Sequence, residues 1–185
     1  MRKFKNILVT GGAGFIGSNF IHYLFEKTKT QKKEFTDSNF SGNVINVDSL
    51  TYAGNLNNLT DIDNEFGSGC SQRSRQRYFF EKADICDKKQ MELIFKKYDI
   101  DTVIHFAAET HVDRSIKQPD NFIKTNVLGT YNLLETAKSC WKISLENKRD
   151  DVIFHYISTD EVYGTVEKGE FFTENSTYAP HSPYS

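Results

Sequence analysis

The run Ile7-Leu8-Val9-Thr10-Gly11-Gly12-Ala13-Gly14-Phe15-Ile16-Gly17 leaves this chain few ways to fold. A short apolar run is broken by glycines and followed at once by Phe15, Ile16, Phe20, Ile21, Leu24 and Phe25, which recur near helical spacing. Strand, glycine turn and helix in that order form the first unit of a dinucleotide-binding α/β sheet. Gly11 permits the tight turn, Gly14 lets the backbone approach a pyrophosphate, and Gly17 lets the helix pack close on the strand. The free N–H groups and positive dipole end of the helix favour phosphate charge.

The rest of the chain repeats the alternation of short β-rich runs with helical-period segments, the pattern of βαβ units on a parallel sheet. Strands are predicted over 5–10, 44–48, 78–83, 102–107 and 151–157. Helices are predicted over 13–27, over 87–98 with Asp87 as N-cap and Met91, Ile94, Phe95 and Tyr98 as the buried stripe, and over 119–141. The last would open on Pro119 and use Phe122, Val127, Tyr131, Leu134 and Ala137 among its apolar positions. Three polar stretches, 28–42, 64–77 and 144–150, read as peripheral insertions. Arg73, Arg75 and Arg77 in the second are read as solvated rather than as an anion site. The fold class is therefore α/β, a Rossmann-type doubly wound parallel sheet, with residues 1–185 as one NAD-binding domain.

A formal net charge of −2 provides no basic field for a phosphate backbone, which argues against nucleic acid as a partner. Ile7-Leu8-Val9 is too short for a signal-peptide core or a membrane span, so no membrane partner is expected. Cys70, Cys86 and Cys140 are scattered, without a CxxC pair or a histidine at ligand spacing. They read as free thiols in a reducing cytoplasm, and no metal site is expected.

Two strand ends carry chemistry, because in open parallel sheets ligands lie beyond the carboxyl ends of the strands. Asp48 closes the second strand, where a carboxylate can bond the adenosine ribose hydroxyls and repel the extra phosphate of NADP, so NAD is the expected cofactor. After the last apolar run come Ser158-Thr159-Asp160-Glu161-Val162-Tyr163-Gly164. Two adjacent carboxyls there are either an acidic solvated loop or an acid and base of the kind that an elimination needs. His105, inside a strand pattern, reads as a core histidine; His111 and Arg114 read as loop residues beside the site.

The glycine spacing 11, 14, 17 resembles that of the extended short-chain dehydrogenase/reductase superfamily. Four further blocks narrow the likeness: Asp48 to Asn55, Ala83 to Asp87, His105 to Ser115, and Ser158 to Gly164. Together they resemble the nucleoside-diphosphate-sugar 4,6-dehydratases, most of all those acting on dTDP-glucose. The resemblance implies a cofactor-binding set of Gly11, Gly14, Phe15, Ile16, Gly17, Asp48, Ser49, Leu50, Thr51, Asp84, Ile85, Phe106, Ala107, Ala108, Thr125 and Tyr184. Asp84 and Ile85 would flank the adenine. Thr110 and Thr159 would meet the substrate sugar, Asp160 would be the acid toward the C6 hydroxyl, Glu161 the base at C5, and Tyr184 the base at the C4 hydroxyl.

The family's Tyr-x-x-x-Lys pattern calls for a lysine at position 188, and the sequence stops at Ser185. That lysine would lower the tyrosine pKa, which otherwise stands near ~10. The resemblance thus implies the N-terminal portion of a homodimeric enzyme, ending before the family's last strands and its C-terminal substrate region, able to bind NAD but turning over little alone. Two other readings stay open: a UDP-sugar 4-epimerase or UDP-sugar 4,6-dehydratase, and a non-catalytic NAD-binding piece.

Overall fold

A computed structural model describes residues 4–26, 40–72, 76–144, 146–147, 149–166 and 169–185. Its centre is a five-stranded sheet in the order β3-β2-β1-β4-β5, with every pairing parallel. The strands are β1 (Asn6–Thr10), β2 (Asn43–Asp48), β3 (Tyr78–Lys82), β4 (Thr102–His105) and β5 (Ile153–Tyr156). The chain order reverses between β1 and β4, so the loops leaving these two strands diverge and open a crevice at the carboxyl edge. This is the Rossmann-type sheet that the sequence predicts.

Helices cover both faces, which is why β1 and β2 are buried along almost their whole length. On one face α1 (Phe15–Glu26) brings Ile21 and Phe25 against Ile7, Val9 and Val44, joined by Leu59 and Ile62 of a 3-10 turn (Leu56–Leu59) and α2 (Thr60–Phe66). On the other, α3 (Lys88–Tyr98) and α6 (Thr130–Cys140) bury Met91, Ile94, Phe95, Leu133 and Ala137 against Leu8, Ile45 and Val103. Asp87 caps α3, its carboxylate accepting from the Gln90 N–H at 3.1 Å, as its place before the apolar stripe predicts. Trp141 closes this layer, buried, with its indole donating to the Ile100 carbonyl.

The helix expected over 119–141 runs unbroken from Pro119 to Cys140, but its hydrogen bonding changes along the way: α5 (Pro119–Phe122), a π-helical stretch (Ile123–Gly129) and α6 follow one another directly. A Cβ at Gly129 would stand 2.7 Å from Ile85 Cδ1, so the span passes unusually close to the loop after β3. Only part of the expected stripe is inward. Phe122 and Ala137 are buried, whereas Ile123, Val127, Leu128, Tyr131 and Leu134 form an exposed apolar face. In α1, Phe15 and Ile16 are likewise exposed, at 82 % and 62 %, because they belong to the first turn at the crevice mouth.

Two short helices escape the periodicity argument, α2 and α4 (Val112–Lys117), which are too brief for a repeating apolar stripe. The insertion expected over 64–77 therefore begins inside a helix. Arg77 corrects the solvated reading: its guanidinium lies over the Phe25 and Phe66 rings at 5.3 and 5.2 Å and donates to the Phe40 carbonyl. Burial pushes its pKa down. Arg73, Arg75 and most of the 28–42 insertion lie outside the described residues. Strand four stops at His105 rather than Ala107, because the Ala107 N–H bonds the Thr10 hydroxyl and leaves the ladder. No described helix is long and apolar enough to cross a membrane.

Candidate active site

Because the whole sheet is parallel, every loop leaving a strand's carboxyl end emerges on one edge. That edge collects the glycine turn after β1, residues 48–55 after β2, 83–87 after β3, 106–111 after β4 and 157–164 after β5.

The glycine turn is fixed by close packing. Gly11 has φ +69°, and a Cβ there would stand 2.7 Å from the Ala107 backbone nitrogen, so only glycine fits. A Cβ on Gly17 would lie 2.3 Å from the Gly11 carbonyl oxygen, which explains how α1 comes so close to β1. At Gly14 the nearest atom would be the Gly11 oxygen at 3.2 Å, and the space beyond is open enough for a phosphate to approach the first turn of α1.

Asp48, only 8 % exposed, ties this turn to the next loop. Its Oδ2 accepts from the Ala13 N–H at 3.0 Å and its Oδ1 from Leu50 N–H at 2.8 Å. A carboxylate has roughly four accepting positions, so two remain for ribose hydroxyls. Ser49 and Thr51 are exposed beside it, and Leu50 takes a left-handed φ of 55° to turn the chain back. Asp84 is exposed with its Oδ1 on the Cys86 N–H, while Ile85 is buried and gives its carbonyl to Asn132. Phe106 and Ala107 line the turn from the β4 side, with Ala108 exposed next to them, and Thr125 is half-buried in the π-helical stretch.

His105 sits at the switch point, fully buried as its place in the strand pattern predicts. Its Nδ1 meets the Thr10 hydroxyl at 2.6 Å and its Nε2 the Thr130 hydroxyl at 2.9 Å. Burial pushes its pKa down to about 4, so the ring is neutral and bonds both hydroxyls as one donor and one acceptor. Thr10 and Thr130 were not among the predicted residues; a threonine at a strand end and another in a helix carry no signal until the fold joins them.

At the end of β5, Thr159 caps a 3-10 turn (Asp160–Tyr163), its hydroxyl accepting from the Glu161 N–H at 3.2 Å. Asp160 and Glu161 are exposed, and Thr159 is half-buried. The turn is anchored by the Ile157 N–H on the His105 carbonyl and by the Ala179 N–H on the Val162 carbonyl. Tyr163 stacks on Phe172 and packs against Tyr178. Thr159, Asp160 and Glu161 are thus brought together on one rim. Tyr184 is half-buried with its ring edge-on to Phe122 of α5, 6.2 Å between centroids. Thr110 is exposed on the loop after β4.

The arrangement puts a glycine turn open to a phosphate, a buried carboxylate with accepting positions to spare and two adjacent exposed carboxyls on a common edge. Against known proteins, residues 8–185 match the family model described as GDP-mannose 4,6 dehydratase. The chain is 47 % identical over 182 residues to the dTDP-glucose 4,6-dehydratase of Neisseria gonorrhoeae, covering 98 % of this chain and 46 % of that protein. It is 49 % identical over 181 residues to that of Haemophilus influenzae, covering 97 % and 47 %. Its structure resembles DesIV, a dTDP-glucose 4,6-dehydratase of Streptomyces venezuelae solved with NAD bound, at a TM-score of 0.74 and 37 % identity over 97 % of this chain and 47 % of that one. The chain spans about half the length of the curated relatives it matches.

Proposed function

The chain belongs to the GDP-mannose 4,6 dehydratase family, and from that premise we propose that it supplies the NAD site and the elimination groups of a dTDP-glucose 4,6-dehydratase. The observation that carries the reading is the shared edge: the glycine turn and the Thr159-Asp160-Glu161 turn leave parallel strands on the same side of one sheet.

In this reading Gly14, Phe15 and Ile16 at the α1 N-terminus would hold the pyrophosphate of NAD, Asp48 with Ser49 to Thr51 its adenosine ribose, and Asp84 and Ile85 would flank its adenine. Phe106 to Ala108 and Thr125 line the way to the nicotinamide. When bound, NAD supplies the acceptor for hydride from C4 of the sugar and the source of hydride for C6, so no net oxidation occurs. Thr159 bonds the C4 oxygen, Thr110 contacts the sugar, and Tyr184 takes the C4 hydroxyl proton once a lysine like the family's lowers its pKa. A C4 ketone acidifies the neighbouring C5 hydrogen, which brings its removal within reach of an ordinary carboxylate. Glu161 takes that proton while Asp160 protonates the departing C6 hydroxyl, water leaves across C5 and C6, and C5 takes the proton back from Glu161 as C6 gains hydride. Glu161 and Asp160, one residue apart on a tight turn, serve adjacent sugar carbons.

The protein works in the cytoplasm, where Cys70, Cys86 and Cys140 stay reduced. It pairs as a homodimer through the exposed face of Ile123, Val127, Leu128, Tyr131 and Leu134, an apolar surface of the kind that interfaces cover.

This chain alone should turn over little, so the test is to incubate the full-length protein that carries it with dTDP-glucose, UDP-glucose and GDP-mannose and identify products by mass and NMR. A dTDP-4-keto-6-deoxyglucose product, lost on Glu161→Gln, is expected. A C4 epimer as product, or turnover confined to the UDP or GDP sugar, would overturn the assignment.

A further inference from the structure

The loops after β2 and β4 touch above the crevice. In the sheet β2 and β4 flank β1, so a contact between their loops must pass over the end of β1, where the glycine turn lies. The contact is made by three side chains outside the dinucleotide site described above. The Tyr52 hydroxyl donates to Glu109 Oε2 at 3.2 Å, and the Arg114 guanidinium covers the Tyr52 ring, 4.0 Å from its centroid. Partial burial and then the Glu109 carboxylate raise the Tyr52 pKa, so the hydroxyl stays protonated as a donor.

Both ends of this bridge are anchored more firmly than its middle. On the Tyr52 side, the Asn55 N–H and the Asn58 amide both donate to the Ala13 carbonyl, at 3.0 and 3.1 Å, seating the loop on the glycine turn. On the other side, the Asn126 side chain clamps Glu109 by its backbone, accepting from its N–H and donating to its carbonyl, each at 2.8 Å. Between these anchors the closure is one hydrogen bond and one stacked cation. Tyr52 is 56 % exposed, so the closure is weak enough to open and close while the anchors hold.

We propose that Tyr52, Glu109 and Arg114 form a strap over the dinucleotide crevice that retains NAD by slowing its escape. The proposal rests on the NAD reading above. A cofactor that ends each turnover in its starting state has no need to leave, so a strap costs the reaction nothing. The three are positioning residues. They act through the loops they join, since Tyr52 follows the ribose-binding stretch directly and Glu109 lies between Ala108 and Thr110.

The experiment loads the protein with NADH and chases it with excess NAD, following the loss of bound-NADH fluorescence by stopped flow. Tyr52→Phe keeps the ring under Arg114 and removes only the hydroxyl; it is expected to speed dissociation about fivefold. Association should stay within about twofold, since a weak closure governs exit more than entry. Arg114→Gln should speed dissociation too. Adding Glu109→Gln to Tyr52→Phe should change little further, because the two partners share one contact. Melting temperatures equal to that of the unaltered protein keep the result from being a folding effect. Unchanged dissociation in both single variants, or effects of Tyr52→Phe and Glu109→Gln that simply add, would overturn the strap alone. If the unaltered protein bound neither NAD nor NADH, the cofactor reading itself would fall and take the strap with it.

Discussion

The two ends of the active edge are built by different means. Around the glycine turn, β1 is paired on both sides, Gly11 and Gly17 leave no room for a side chain, and both oxygens of Asp48 are tied to backbone N–H groups. At the other end β5 is an edge strand with half its residues exposed, and the carboxyls of Asp160 and Glu161 stand in solvent on a four-residue turn. The first region holds its shape through contacts that the whole fold enforces. The second presents two exposed carboxyls, the proposed reactive groups, on a local turn with few neighbours. Changes in the first should therefore cost stability and binding together, while changes in the second should cost chemistry with little effect on the fold.

The strongest challenge to that contrast is Gly17→Ala. The new methyl would meet the Gly11 carbonyl oxygen and the Gly12 Cα at 2.3 and 2.8 Å, backbone atoms that cannot swing aside. We expect a loss of about 3 kcal/mol from overpacking, read from urea midpoints, and no measurable NAD binding. A Gly17→Ala protein that melts normally would show that the turn is not held by packing.

His105 sharpens the same point through pH. Its pKa falls from about 6.5 in the unfolded chain to about 4 in the fold, so below neutrality the unfolded state takes up the extra proton. Stability from this group is therefore full above pH 6.5 and is lost as pH falls toward 4. Between pH 7 and pH 5 it should cost about 2 kcal/mol. His105→Gln can keep a bond to Thr10 or Thr130 but does not titrate, so it should flatten this part of the urea-midpoint profile. An identical acid slope in the variant would mean that His105 is not the responsible group.

Thr159→Val falls between the two regions. It removes the hydroxyl that caps the Glu161 N–H, a local bond at a half-exposed site. The expected loss is about 1 kcal/mol, within the range for such caps. A loss as large as that of Gly17→Ala would mean that the turn is held by more than its cap and would erase the contrast.

The features that could be read from the sequence are those whose cause is local. The glycines announce a turn because few other residues fit there, Asp87 announces a helix start because its side chain caps within three residues, and His105 reads as core because its strand neighbours are apolar. What could not be read depends on distant partners. Arg77 looks like surface charge until Phe25 and Phe66 are placed beneath it. Asn126 has no visible task until the loop after β4 arrives beside it. The apolar stripe of 123–134 follows helical spacing faithfully but faces outward, and spacing alone does not tell a core face from an interface. At the site, the glycine turn and the Thr159 to Glu161 turn were both legible. The Tyr52 to Glu109 bridge was not, because 57 residues separate its ends.

The smallest expected effect on the fold belongs to the residues with the largest proposed chemical role. Asp160→Asn and Glu161→Gln keep size and shape and remove a charge from exposed side chains that no ion pair in the structure engages among the described residues. Surface changes of this kind usually stay within about 0.5 kcal/mol, so urea midpoints should barely move. NAD titration should give the same affinity as the unaltered protein, because the glycine turn and Asp48 lie on other strands. If dehydration by the full-length protein that carries this chain falls by about two to four powers of ten in each variant while both of those readouts hold, the carboxyls act on the substrate and on nothing else. A shift of the midpoint comparable to that of Thr159→Val would instead place Asp160 or Glu161 in the framework of the turn, and the division between a packed binding region and a locally presented reactive one would have to be redrawn at β5.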